Sequence, residues 1–290
     1  MKTTTEKAYA KLNISLDVTE KRADGFHEMV MVNQSVSLAD DVTVTLTDDG
    51  TVRARTSFSF IPGDERNLAV KAAMRYLKEI GDATTGARIE IEKRIPVGAG
   101  MGGGSADAAA VLRAMNKLFE HRLSGERLLE ISGDVGSDVP FCVMGGTALA
   151  EGRGERLTPL PPLPECALVI LKPEFAISTP ELFKKLDMLR THHHPDTAGI
   201  IAALNAGELL PVCRRMFNVF EGVDDRRMRE ETELKNALLD EGALGAVMTG
   251  TGSAVFGIFA GENDAARAAE KLKKKTPFCC TAVSVGAEKL

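Results

Sequence analysis

Five glycines in the seven residues from Gly98 to Gly104 run straight into Ser105 and an alanine-rich segment, PVGAGMGGGSADAAAVL, residues 96–112. Such a run presents backbone N–H groups, and the partial positive charge of a helix N-terminus, to an anion that side chains would crowd out. Ala108, Val111, Leu112, Met115, Leu118 and Phe119 recur at helical spacing. They predict a helix from Ser105 to about Phe119, with Ser105 as N-cap and Asp107 in the first turn. Upstream, Ala87, Ile89 and Ile91 alternate with charged residues as in a strand, which Pro96 stops. Strand, glycine loop and helix in that order predict a site for a nucleotide phosphate.

Gly98, Gly100 and Gly103 also satisfy G-x-G-x-x-G, but that dinucleotide motif opens a βαβ unit near the start of its domain, and here several strands precede it. A P-loop requires a lysine after the last glycine, and none follows Gly103 or Gly104. Phosphate charge must therefore be met by residues from elsewhere in the chain. A turn that merely packs a helix tightly is the plain alternative, and five glycines at a helix start favour the anion.

At 290 residues and 44% hydrophobic content, the chain has room for two ordinary domains. A net charge of −5, a pI near 5.7 and no dense basic run argue against nucleic acid or an anionic membrane as partner, and for a small molecule. The five cysteines lack a C-x-x-C pair and are expected to be buried thiols of a reducing cytoplasm. MKTTTEKAYAKLN has no apolar leader core, and no apolar stretch has the length of a membrane span. His192, His193 and His194 before Pro195 read as a solvated loop, and no metal ligand is assigned there.

Leu12, Ile14, Leu16 and Val18 alternate with polar residues, predicting a half-buried strand with Lys11 and Asn13 on one polar face. Asp24-Gly25 predicts a hairpin turn into the apolar run Met29–Leu38. Strands are expected at Val42–Leu46 and Val52–Phe60, helices at Asn67–Ile80 and Ser124–Ile131, then strands at Phe141–Met144 and Thr147–Ala150. TPLPPLP, Thr158 to Pro164, is the clearest linker, dividing the chain into domains 1–158 and 165–290. The second half offers a strand at Leu168–Leu171, amphipathic helices between Pro180 and Asp240, and a strand pair in VMTGTGSAVFGIF, residues 247–259. A helix at Glu262–Lys275 and a strand at Thr281–Val285 complete an α+β pattern.

Phosphoryl transfer from ATP needs a phosphate cradle, a cation, Mg²⁺ and a group to take the acceptor proton. Asp138, in the glycine-bearing turn GDVGSDVPF (residues 133–141), is the candidate base. Most aspartates in such turns cap or form Asx turns, a role that suits Asp134 better. Lys11 is the candidate cation, although a lysine on a polar strand face commonly just meets solvent. The TGTGS run from Thr249 to Ser253 either brings further backbone donors or makes a tight β-turn.

Three blocks, KAYAKLN (residues 7–13), PVGAGMGGGSADAAAVL and VMTGTGSAVFGIF, stand in the order and spacing of the three motifs of the GHMP kinase superfamily, which the chain resembles. KRADGFHEM (21–29), GSDVPF (136–141), GGTALAEGRGE (145–155) and NVFE (218–221) make it similar to the members that act on 4-diphosphocytidyl-2-C-methyl-D-erythritol in the non-mevalonate isoprenoid pathway. The resemblance runs from about residue 7 to about residue 259. It implies a mixed α/β N-terminal domain, a C-terminal α+β (ferredoxin-like) domain and an active site in the cleft between them. It also implies ATP and Mg²⁺, with the backbone of Pro96, Val97, Gly98, Ala99, Gly100, Met101, Gly102, Gly103, Gly104, Ser105 and Ala106 around the phosphates. Asp138 would take the proton of the acceptor's C2 hydroxyl, and Lys11 would orient Asp138 and stabilise the transferring phosphate. Asn13, Thr249, Gly250 and Gly252 would line the acceptor side. Phe26 would stack on cytosine, His27 would read its edge and Phe183 would close the other face. Phe26 stands where a tyrosine is common, and Tyr9 and Ser253 where prolines are frequent. Another small-molecule kinase of the superfamily, a non-catalytic nucleotide sensor and, more distantly, a dehydrogenase are the competing readings.

Overall fold

Two long strands frame the protein, whose computed structural model describes residues 2–189, 193–223 and 225–287. Strands β1 (Thr3–Lys21) and β2 (His27–Thr47) pair antiparallel around the Asp24-Gly25 turn, where the Asp24 carboxylate accepts the Phe26 amide and Gly25 takes φ +85°. The sequence predicts two strands where β2 is one. Asp40 and Asp41 break its apolar pattern, yet Asp40 is wholly buried because Lys93 and two backbone amides bind its carboxylate.

β3 (Val52–Thr56) stops short of the expected Phe60, and α1 (Leu68–Ile80) starts from an Asn67 side-chain cap and ends at left-handed Gly81. β4 (Gly86–Glu92) feeds the glycine loop and α2 (Gly103–Leu118). The cap of α2 is Gly102, not Ser105, and Asp107 lies beyond the first turn. Gly102 takes φ +65°, which starts the helix two residues early and leaves the Ser105 hydroxyl free of a capping bond.

α3 (Gly125–Ser132) is capped by Ser124. Residues Val139–Met144 form a short helix, α4, rather than the expected strand. Five of its six residues are buried, so the run lacks a periodicity that separates helix from strand, and Pro140 suits the first helical turn. β5 (Thr147–Gly152) and β6 (Arg156–Pro159) follow, so Thr158 and Pro159 of the expected linker belong to a strand.

Beyond residues 160–166 come β7 (Ala167–Lys172), α5 (Thr179–Asp187), α6 (Thr197–Ala206), α7 (Leu209–Cys213) and β8 (Phe217–Asn218). The chain then forms α8 (Arg226–Asp240), β9 (Gly245–Met248), β10 (Val255–Phe259), α9 (Glu262–Leu272) and β11 (Phe278–Val283). The last helix and strand end earlier than expected, at Leu272 and Val283. The first sheet runs β3-β4-β2-β1-β8, with β5 also on β2 and β6 on β5. The second is antiparallel in the order β11-β7-β10-β9, the arrangement of a ferredoxin-like sheet. β8 lies parallel to β1 at Ser15 and Leu16, and Ser284 bridges Val36, so both ends of the second half are stitched to the first sheet.

β1 is buried on both faces around Lys11 to Asp17, not half-buried. Its register shifts between Asn13 and Ser15, where one extra residue flips the alternation. Leu12 and Ile14 consequently join the core beneath the first sheet, whereas Leu16 and Val18 join a second core with β7, α8 and β10. The bulge thus lets one strand serve two cores and turn Lys11 toward the space between them.

Candidate active site

The glycine loop takes its shape from three left-handed residues, Gly98, Gly100 and Gly102, at φ +65°, +75° and +65°. A Cβ at Gly100 would run into the Thr249 carbonyl, and one at Gly250 would stand 2.8 Å from the Gly100 carbonyl oxygen. The two glycine loops therefore touch backbone to backbone, joined also by the Ala254 amide donating to the Ala99 carbonyl at 3.2 Å. Among the described residues, the amides from Gly100 to Ser105 have no acceptor, while the Ala106 amide already donates to the Gly102 carbonyl. Pro96, Val97, Ala99, Met101, Gly103 and Gly104 line a cavity of about 380 Å³ together with Asn67, Lys93 and Asp107. Gly98, Gly100, Gly102 and Ser105 line this cavity and an adjoining one of about 380 Å³ as well.

The adjoining cavity brings Lys11, Asp138 and the loop together. Lys11 is 4% exposed; its stem lies along Gly102, whose Cβ would approach within 3.0 Å of Lys11 Cγ. Its Nζ donates to Asn13 Oδ1 at 3.0 Å and faces Asp138 Oδ2 at 3.6 Å. Asp138 occupies the N-cap position of α4 but makes no capping bond, and a third of its side chain remains open to solvent. A carboxylate spared from capping, paired with a buried ammonium and open to the cavity, is equipped to receive a proton. Asp134 does not cap either; its carboxylate accepts from Arg75 Nε at 2.8 Å.

Asn13 and Thr249 stand behind the cavity wall rather than on it, both fully buried. Asn13 Oδ1 accepts the Gly250 amide at 2.8 Å and its own amide donates to Thr249 Oγ1 at 3.1 Å, so Asn13 ties β1 to the second glycine loop. Its Nδ2 donates to Asn33 Oδ1 at 2.7 Å. Gly250 and Gly252 do line the cavity. Sequence reasoning missed Asn33 and Asn218; Asn218 Nδ2 donates to the carbonyls of Met248 and Gly250, fixing the same loop from the other side.

Phe26 and Phe183 do not face each other as an empty sandwich. Phe183 lies on the His27 imidazole, with centroids 4.5 Å apart, and against the edge of Phe220. Phe26 is 53% exposed, and the Arg153 guanidinium covers its ring. His27 Nε2 is bonded to Asp187 Oδ1 at 2.7 Å, which fixes the orientation of the ring.

Two buried charged groups beside the site also escaped the sequence reading. Lys93 donates to Asp40 at 2.5 Å and Asp107 at 2.7 Å, under the first cavity. Burial, opposed by Lys93 and reinforced by Asp40, pushes the Asp107 carboxyl up to about 7. Glu231 of α8 is 2% exposed, and neither of its carboxylate oxygens has a partner among the described residues. Its Oε1 lies 2.7 Å from where a Cβ of Gly252 would stand. Burial, with Glu221 and Asp225 nearby and despite Lys235 and Arg227, pushes its carboxyl up to about 8.

A carboxyl raised in the folded state keeps its proton where the unfolded chain releases it, so stability falls as pH rises from the ordinary carboxyl range toward 8. Glu231→Gln removes that dependence. Thermal melts over a pH series should show the variant equal to the parent near pH 5 and about 5–10 °C more stable near pH 8.5, a gain of roughly 3 kcal/mol. A difference that stays constant with pH would contradict the assignment.

All five cysteines are free, three of them buried, and no helix among the described residues is long and apolar enough to cross a membrane. Among those residues no group of three or more His, Cys, Asp or Glu could hold a metal ion. His192 of the histidine run lies outside the described residues, and His194 bonds Asp17.

Family models for the N-terminal and C-terminal domains of GHMP kinases match residues 67–146 and 200–277. The 4-diphosphocytidyl-2-C-methyl-D-erythritol kinase of Caldicellulosiruptor saccharolyticus is 42% identical over 267 residues, covering 92% of each chain. That of Clostridium perfringens is 44% identical over 275 residues, covering 94% of each. A crystal structure of 4-(cytidine 5'-diphospho)-2C-methyl-D-erythritol kinase superposes with a TM-score of 0.82 at 34% identity, covering 98% of this chain and all of that one. The chain has the two-domain GHMP kinase fold and belongs to the GHMP kinases, within them to the 4-diphosphocytidyl-2-C-methyl-D-erythritol kinase family.

Proposed function

We propose that this chain transfers the γ-phosphoryl group of ATP to the C2 hydroxyl of 4-diphosphocytidyl-2-C-methyl-D-erythritol, as a soluble enzyme of the cytoplasm. The observation that carries the reading is one cavity wall shared by Lys11, Asp138 and the glycine loop. The names of its relatives supply the acceptor.

The amides from Gly100 to Ser105, without an acceptor among the described residues, at the start of a helix and four of them on glycines without side-chain bulk, suit the phosphates of ATP. Mg²⁺ retains several waters and takes few protein oxygens beside phosphate, so it does not require the metal-binding cluster of carboxylates that is absent among the described residues. Ser105, whose hydroxyl has no hydrogen-bond partner among the described residues and which lines both cavities, would contribute one such oxygen. Bound there, Mg²⁺ would offset charge on the phosphates.

Asp138 would orient the acceptor hydroxyl and take its proton at an oxygen of its carboxylate. Lys11, held by Asn13, would keep that carboxylate aimed and stabilise negative charge next to it. A loose phosphoryl-transfer transition state demands little early proton removal, so positioning and charge dominate. Cytosine would lie at Phe26, with His27 reading its edge and Phe183 swinging from His27 or bracing it. On this reading residues 1–158 form the ATP-binding domain, residues 165–290 the second domain, and the cavity lies between them.

Initial rates with the cytidyl compound, mevalonate and homoserine as acceptors test the proposal. Turnover of the cytidyl compound alone, inhibited competitively by CMP, is expected. Faster turnover of mevalonate or homoserine would overturn it.

A further inference from the structure

Arg153 sits in the β5–β6 turn between two left-handed glycines, Gly152 at φ +74° and Gly154 at φ +115°. The turn is braced from below, with the Arg153 amide donating to Glu155 Oε2 at 2.7 Å. The guanidinium carbon lies 5.0 Å from the centroid of the Phe26 ring. At its other side the same turn touches the reacting end of the cavity: a Cβ on Gly154 would stand 3.6 Å from Asp138 Oδ1. Arg153 itself lines that cavity.

Its neighbours spend their charge on carboxylates. Arg22 pairs with Asp24 and Glu28, and Arg156 pairs with Glu28. Among the described residues the Arg153 guanidinium makes no hydrogen bond or salt bridge, its nearest carboxylate influence being the Coulombic pull of Asp24, which is itself bonded to Arg22, so its N–H groups remain available beside the ring.

We infer that Arg153 grips the diphosphate of the acceptor substrate, an inference that rests on the reading under Proposed function. A substrate with its base on Phe26 and its reacting hydroxyl at Asp138 must carry its two phosphates through the space between them, where Arg153 projects. A planar guanidinium binds phosphate oxygens through two parallel N–H bonds, and stacking on Phe26 holds that fork in place. Arg153 is then a specificity-determining residue: it recognises a nucleoside diphosphate linkage against a bare nucleoside.

The test uses Arg153→Met and Arg153→Lys in the full chain, with thermal melts confirming that each folds. For Arg153→Met we expect KM for the cytidyl substrate to rise about 10- to 100-fold. Its kcat and its KM for ATP should stay near the parent values. CDP should lose a similar factor in affinity while cytidine loses little, and Arg153→Lys should fall between. Equal losses for CDP and cytidine would overturn the inference by showing that Arg153 only covers Phe26, as would unchanged KM and CDP affinity. A parent enzyme unable to phosphorylate the cytidyl substrate would defeat the underlying reading and this inference together. An active parent with an unaffected Arg153→Met variant would defeat the inference alone.

Discussion

Asp138→Asn is expected to lower kcat by roughly 100- to 10,000-fold, the range for losing a positioned acid–base group, while the affinity for ATP stays close to that of the parent. Asparagine keeps the volume but can neither accept the hydroxyl proton nor neutralise Lys11. Lys11 retains its bond to Asn13 Oδ1 at 3.0 Å, so the cavity wall should survive. Among the described residues no hydrogen bond joins the glycine loop to the Asp138 carboxylate, which is why nucleotide affinity should be spared. Steady-state kinetics with a parallel titration of ATP checks both halves. A kcat within about tenfold of the parent would remove Asp138 from the role.

Lys93→Met is expected to cost about 3–5 kcal/mol at pH 7, the usual loss when one partner of a buried ionic group is deleted. Lys93 is the cation between Asp40 and Asp107, all three nearly inaccessible to solvent. Asp40 would still hold the Arg94 and Ile95 amides, but Asp107 would lose its ammonium, and its Oδ1 has no partner even in the parent. The deficit should depend on pH. The Asp107 carboxyl is already raised to about 7 by burial against the pull of Lys93, and removing the lysine raises it further. A group that holds its proton longer when folded stabilises the fold as pH drops through its folded pKa toward the ordinary carboxyl value. The gap to the parent should therefore narrow as pH falls toward about 7 and hold level below it, where the Asp107 carboxyl keeps its proton in both folded proteins. Denaturant melts at several pH values measure it; a loss under about 1 kcal/mol that ignores pH would contradict the ionic account.

The strand, glycine loop and helix around residue 100 were legible because the signals are local. Alternation, proline and a glycine run each act within a few residues. The hairpin at Asp24-Gly25 and the caps of α1 and α3 were readable for the same reason. What escaped depends on distant partners. Asp40 reads as a strand breaker until Lys93, 53 residues away, buries it inside β2. Lys11 and Asn13 read as a polar face, but the bulge after Asn13 and the second half of the chain turn that face inward. Phe141–Met144 reads as strand because burial on every side erases period. Serine's capping preference points to Ser105, whereas Gly102 adopts the left-handed conformation that starts the helix earlier. For the ring pair, the sequence offered no sign that Phe183 would rest on His27 or that Arg153 would cover Phe26.

The most direct test of the account is the ³¹P NMR spectrum of the product formed by the parent enzyme from ATP, Mg²⁺ and the cytidyl substrate. C2 of the methylerythritol unit bears no hydrogen, so phosphorylation there predicts a new monoester signal without three-bond proton coupling. The diphosphate signals should persist, and ADP should accumulate in step with product. A monoester signal split by vicinal protons, or release of inorganic phosphate with no monoester, would contradict transfer to the hydroxyl that Asp138 and Lys11 are proposed to serve.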